Sequence, residues 1–156
     1  MSAVDHQDEA WSRSAPARAV RELLICGLFG PLVGAYAQRE IIGLERVAEL
    51  SGPVVFVANH NSHVDTPVLL RALPGRRRRR TAVAAAAEYF YSTRSLAAAV
   101  SLTFGTVPVA RHTESATGSF AFLERLIQDG WSLVLFAEGT RSRDGRVDRC
   151  DPARPR

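Results

Sequence analysis

Four short apolar runs, residues 54–58, 81–85, 104–109 and 131–136, alternate with stretches of helical spacing, and this alternation limits the possible folds more than any other feature. Runs of that length bounded by turn residues suit buried strands, whereas residues 114–128 carry Phe120, Leu123, Leu126 and Ile127 at helical intervals. Further helices are expected over 67–72 and near 88–100. Asp129-Gly130 supplies a helix stop, with Gly130 able to take a positive φ. Strands that alternate with helices predict an α/β fold, with a mostly parallel sheet flanked by helices. In such sheets binding and chemistry gather at the carboxyl ends of the strands. A length of 156 residues, 46% of them hydrophobic and 23% charged, is enough to bury the core of a single domain.

Residues 1–16 are polar and acidic, lack the layout of a secretory signal, and read as a disordered leader. The segment 17–43 reads as an amphipathic or membrane-interface helical unit. Its stretch 23–37 is almost wholly apolar, yet it contains Gly27, Gly30, Pro31 and Gly34. It also falls short of the roughly 20 residues a spanning helix needs, which argues against a single crossing. With Arg18, Arg21 and Arg39 at its flanks, it suits an apolar helix or helical pair in the lipid interface. A helix packed on the domain core is the alternative, and periodicity alone leaves both open.

All 20 basic residues are arginine. The resulting pI near 9.8 points to anionic partners such as phosphate esters or a phospholipid surface. Arg76 to Arg80 form an unbroken basic run after Leu73-Pro74-Gly75. This reads first as a solvated loop and second as a contact for anionic membrane. No aromatic residues interleave with the run, so nucleic acid is not expected as a partner. Cys26 and Cys150 make neither a disulfide framework nor a metal spacing, and a reducing compartment follows.

Directly after the first apolar run comes Asn59-His60-Asn61-Ser62-His63-Val64-Asp65, in which His60 and Asp65 have four residues between them. A histidine leaving a strand, with a carboxylate a turn further on to hold its ring, can take a proton from a hydroxyl. Alternatively Ser62, Asp65 or Thr66 only caps the helix that Pro67 helps start, and His60 is a polar loop residue. His63 adds a third metal-competent side chain, but the spacing matches no strong metal signature. The chain has no Gly-x-Ser-x-Gly, no lysine for a P-loop, and no Gly-x-Gly-x-x-Gly after a strand. Serine-hydrolase, P-loop and dinucleotide chemistry are therefore disfavoured.

Two later segments complete a pattern: Gly105-Thr106-Val107-Pro108-Val109-Ala110-Arg111, then Phe136-Ala137-Glu138-Gly139-Thr140-Arg141-Ser142. Together with Asn59-His60-x-Ser62-x-x-Asp65 they occur in order, and the chain from Leu44 to Asp144 resembles the glycerol-phosphate and lysophosphatidic acid acyltransferases, the PlsC-like His-x4-Asp family. The resemblance implies a peripheral or interfacial enzyme of phospholipid biosynthesis on the cytoplasmic face of the membrane. Its acyl donor would be acyl-CoA or acyl carrier protein, and its acceptor a lysophospholipid or related glycerolipid.

In that reading His60 and Asp65 are catalytic, and Arg111 binds the acceptor's phosphate through charge-assisted hydrogen bonds. Glu138, Gly139, Thr140 and Arg141 help hold the glycerol phosphate, with Gly139 letting the backbone approach the ligand. No metal or organic cofactor is needed, because a thioester already carries a fair leaving group. Taken singly, Arg111 would read as a surface arginine and Glu138-Gly139-Thr140 as a plain turn.

The chain departs from the family at two places. Ala137 stands where the family usually has proline, which frees a φ angle in that loop. Residues 148–156 lack apolar periodicity where the family continues with a further strand and a valine- and proline-containing motif. The acyltransferase domain, residues 44–147, is thus expected to be incomplete at its carboxyl end, with 148–156 a disordered tail. An unpaired sheet edge and reduced activity would follow. A non-catalytic acyltransferase-like domain that only binds membrane or lipid is the alternative reading.

Overall fold

The structure is a computed structural model that describes residues 10–36, 40–60, 62, 64–86, 93–109 and 113–136. A 3-10 turn, Ala10–Arg13, leads into α1, Ala15–Tyr36. After it come α2 (Leu44–Glu49), β1 (Val55–Ala58), α3 (Asp65–Ala72) and the short α4 (Gly75–Arg78). The chain continues through β2 (Thr81–Ala86), α5 (Arg94–Phe104), β3 (Thr106–Val109), α6 (Thr113–Gln128) and β4 (Ser132–Phe136). The strands form one sheet of order β1-β4-β2-β3, and every pairing is parallel. The α/β class expected from the alternation is the fold observed.

Side-chain alternation along each strand divides the core between the two faces of the sheet. Val83 and Val134 pack with Ile25 of α1 and Leu70 of α3, and Phe29, Phe56, Leu69, Phe104 and Phe136 surround them. On the other face Ala82, Val107 and Leu133 meet Leu123 and Leu126 of α6 and the Trp131 side chain. β1 lies at an edge, and Val55 and Val57 are 44% and 67% exposed. Parallel register aligns the carboxyl ends, setting Ala58 beside Phe136 and Ala86 beside Val109.

Four sequence expectations need correction. First, residues 10–16, assigned to a disordered leader, form the 3-10 turn and the start of α1. The Ser14 hydroxyl caps that helix by accepting from the Ala17 N–H at 3.4 Å, and Pro16 suits its first turn.

Second, of the apolar helix or helical pair expected the single helix is observed, but α1 runs 22 residues and not 15, and by length and composition it could cross a membrane. Pro31 does not break it because the preceding turn, Leu24–Phe29, widens to a π-helix in which the Gly30 N–H donates to the Ile25 carbonyl. That wider turn accommodates a ring with no N–H of its own. The packed-on-core alternative is correct for its inner face, since Ile25 is fully buried. Leu23, Leu28, Leu32 and Tyr36 remain exposed.

Third, Phe104 belongs to α5 and not to the third strand. Gly105, at φ 68°, caps that helix in the left-handed region and delays the strand to Thr106. The helix expected near 88–100 is observed at Arg94–Phe104, and residues 87–92 lie outside the described residues.

Fourth, the arginine run is only in part a solvated loop: Arg76, Arg79 and Arg80 are exposed, but Arg77 and Arg78 are not. Arg76 to Arg78 lie in α4, and Arg78 is 7% exposed. Its guanidinium donates to the Leu73 carbonyl at 2.9 Å and forms a close fork with the Glu22 carboxylate of α1. Arg77 donates to the Gly52 carbonyl at 2.9 Å. Arg77 and Arg78 therefore tie α1, the end of α3 and the approach to β1 together at the amino end of the sheet.

Arg21 makes a second tie. Buried to 3% exposure, it donates to the carbonyls of Ser12 at 2.8 Å, Ser101 at 2.7 Å and Leu102 at 3.0 Å. The last two belong to the final turn of α5, where a cation also opposes the negative end of the helix dipole. Burial, reinforced by the neighbouring Arg18 charge, lowers the Arg21 pKa to about 10.

Candidate active site

β1 ends at Ala58, and His60 follows two residues later at the carboxyl edge of the sheet. Asp65 opens α3 on the far side of the intervening turn. The two side chains meet with His60 Nδ1 3.1 Å from Asp65 Oδ2. The same carboxylate oxygen accepts the Ser62 N–H at 2.7 Å, and the Asp65 N–H donates to the Ser62 carbonyl at 3.1 Å. These bonds close the turn between strand and helix and fix the carboxylate independently of the imidazole.

Val64 holds the N-cap position with no side-chain cap, while Ser62 Oγ accepts only locally from the Val64 N–H at 3.4 Å. Asp65 is the first helical residue and turns back toward Ser62 and His60. Its charge also favours the positive end of α3.

Tautomer and direction follow from this pairing. A carboxylate only accepts, so a neutral ring that donates to it carries its proton on Nδ1 and leaves the Nε2 lone pair on the other side of the ring. His60 and Asp65 side chains are 20% and 29% exposed, so the pair sits at the rim of the sheet and not within the core. One ring face is covered by Phe136, the last residue of β4, with ring centroids 4.3 Å apart and planes inclined at 32°. The Ala58–Phe136 register brings that ring to the histidine. A ring-on-ring contact of this kind has no signature in sequence spacing, because the residues are 76 positions apart and meet only through strand order.

His60 and Asp65 are the sequence-predicted site residues that the structure brings together. Arg111, Glu138, Gly139, Thr140 and Arg141 lie outside the described residues, as do His63 and Ala137. The described parts of their segments end at Val109 and Phe136, the carboxyl ends of β3 and β4. Among the described residues, no group of three histidine, cysteine or acidic side chains could hold a metal ion.

A family model described as Acyltransferase matches residues 38–153. No curated protein matches the sequence. Among solved structures, the crystal structure of the 1-acyl-sn-glycerophosphate (LPA) acyltransferase PlsC from Thermotoga maritima is similar, with a TM-score of 0.57 at 19% identity. The alignment covers 90% of this chain and 51% of that one, so this chain spans about half the length of that protein. At this identity the likeness is one of fold.

Proposed function

From the premise that the chain belongs to the Acyltransferase family, we propose that it transfers a fatty acyl group from acyl-CoA or acyl carrier protein to a hydroxyl of lysophosphatidic acid or a related glycerolipid. The observation that carries this reading is the His60 Nδ1 to Asp65 Oδ2 pairing of 3.1 Å at the carboxyl edge of a parallel sheet. In the reaction, Nε2 of His60 takes the acceptor's hydroxyl proton as the oxygen attacks the thioester carbonyl. The tetrahedral intermediate then collapses with cleavage of the C–S bond, and the departing thiolate recovers a proton from the imidazolium. Asp65 holds the ring in the tautomer that has a free Nε2 lone pair and stabilises the cation that forms. No cofactor is required.

Arg111 is the proposed anchor for the acceptor's phosphate, with Glu138, Gly139, Thr140 and Arg141 holding its glycerol portion. Binding at that point supplies orientation, which turns an encounter between two substrates into an attack within one complex. The exposed apolar face of α1, with Leu23, Leu28, Leu32 and Tyr36, supports a peripheral or interfacial placement on the cytoplasmic membrane surface. Such a placement would present a water-poor acceptor to the sheet edge.

The test is acceptor-dependent release of free thiol, with acyl-CoA and acyl carrier protein compared as donors, and lysophosphatidic acid and glycerol phosphate as acceptors. Release that requires both a thioester and one of these acceptors supports the reading. Flotation with liposomes and no thiol release with any pair would favour the non-catalytic lipid-binding alternative.

A further inference from the structure

We infer that Phe136 is a positioning residue for the His60 base, a role that rests on the acyl-transfer reading above. Asp65 constrains one edge of the imidazole, at Nδ1, but a hydrogen bond at that atom does not by itself stop the ring pivoting about the contact. The Phe136 ring lies against the imidazole face at 4.3 Å between centroids and closes off that pivot. With planes inclined at 32°, the two rings make a close, tilted contact.

The shelf is itself anchored. Phe136 packs against the cluster of Ile25, Leu70, Val83 and Val134, all of which are at most 2% exposed. It is also paired in register with Ala58, two residues before the histidine. The base is therefore held by two groups, a carboxylate at Nδ1 and an aromatic ring on a strand end that packs into the core. The second hold changes character during the reaction. When Nε2 takes the acceptor's proton, the imidazole becomes a cation over an aromatic face, and the ring quadrupole favours that state over the neutral one. An aliphatic side chain of similar size would fill the same space without this effect.

Two substitutions separate the aromatic contribution from simple packing. Phe136→Leu keeps an apolar side chain in the cluster, and Phe136→Tyr keeps the ring. The expected result is a fall in kcat of about 10-fold for Phe136→Leu with KM nearly unchanged, and near-complete recovery in Phe136→Tyr. A purely structural role would lower the amount of folded protein without this separation of kcat from KM.

A measurement on the unmodified protein reads the ring contact itself, with a variant used only for assignment. Proton NMR of labelled histidine, with His60 assigned by loss of its signal in His60→Ala, is expected to show His60 ring protons shifted upfield by the Phe136 ring current. Cross-relaxation between the two rings is also expected. Absence of both, or wild-type kcat in Phe136→Leu, overturns the inference. If the wild-type chain transfers no acyl group while the ring contact is seen, it is the acyl-transfer reading that fails, and the role assigned to Phe136 falls with it while the contact stands.

Discussion

Arg78 of the arginine run reaches Glu22 of α1 across 56 positions of sequence, and its Nε donates to Glu22 Oε2 at 3.0 Å. Hydrogen bonding from Arg78 is the main cause that holds the Glu22 carboxyl below its usual 4.5, with burial opposing and the Arg78 and Arg79 charges assisting. The partner guanidinium is correspondingly raised, first by its hydrogen bond to Glu22. A carboxyl with a depressed folded pKa contributes stability that is complete above its unfolded value and is lost as pH falls through the folded one. Urea unfolding is thus expected to show stability declining as pH drops below about 4.5, with a smaller decline in Glu22→Gln. The Glu22→Gln change at neutral pH is expected to cost about 1–2 kcal/mol, because Arg78 stays buried with a weaker partner while Glu22 itself is partly exposed. Equal acid sensitivity in the two proteins would remove Glu22 from this role.

Gly105 offers a comparison within one chain. Its φ is 68°, and a Cβ there would lie 3.0 Å from the buried Arg21 guanidinium carbon. Gly52 has a similar φ of 72° with nothing within 4 Å. Alanine at either site bears the left-handed backbone cost of about 1 kcal/mol. Only Gly105→Ala must also displace the arginine that holds the end of α5. Chemical denaturation is expected to show Gly105→Ala less stable than Gly52→Ala by about 1–2 kcal/mol.

Asp65→Asn keeps the size of the side chain but removes its charge, and its amide can present a donor where His60 needs an acceptor. The expected outcome is a fall in kcat of about 100-fold or more with little change in KM for the acceptor. Steady-state kinetics on the folded variant checks this, and a change confined to KM would assign Asp65 to binding.

Vesicle binding tests the outer face of α1. Leu23 is 72% exposed and Leu32 50% exposed, with the arginines Arg18 and Arg79 lining an open groove beside Leu23. Replacing Leu23 and Leu32 together by glutamine is expected to weaken binding to anionic vesicles by about 10-fold or more, since burial of each leucine stabilises by about 1.5 kcal/mol or more. The thermal midpoint should hardly move, because neither side chain is in the core. Unchanged vesicle affinity would place the membrane contact elsewhere.

The strands were legible because short apolar runs between turn residues have few other uses, and Gly130 takes φ 82° where a helix stop was expected. The His60–Asp65 pairing was legible as a possibility because both residues flank one strand-to-helix turn. What the sequence hid depends on contacts between distant segments. Arg78 looked like one more solvated charge in a run of five, and only Glu22 and the free carbonyls at the end of α3 make it a buried clamp. Gly30 and Pro31 looked like interruptions of α1, but the π-helical turn absorbs the proline, and a Cβ at Gly30 would lie 3.2 Å from Arg71 Nε. Phe104 was apolar enough for either a strand or a helix, and the cap at Gly105 decided between them. The Phe136 contact with His60 required the strand order β1-β4-β2-β3, which no local pattern contains.

The most direct test compares thiol release from acyl-CoA by the wild-type chain and by His60→Ala, each with and without lysophosphatidic acid. Release is expected from the wild type only when the acceptor is present, with a loss of about 100-fold or more in the folded variant. Equal acceptor-dependent release from the two proteins would contradict His60 as the base.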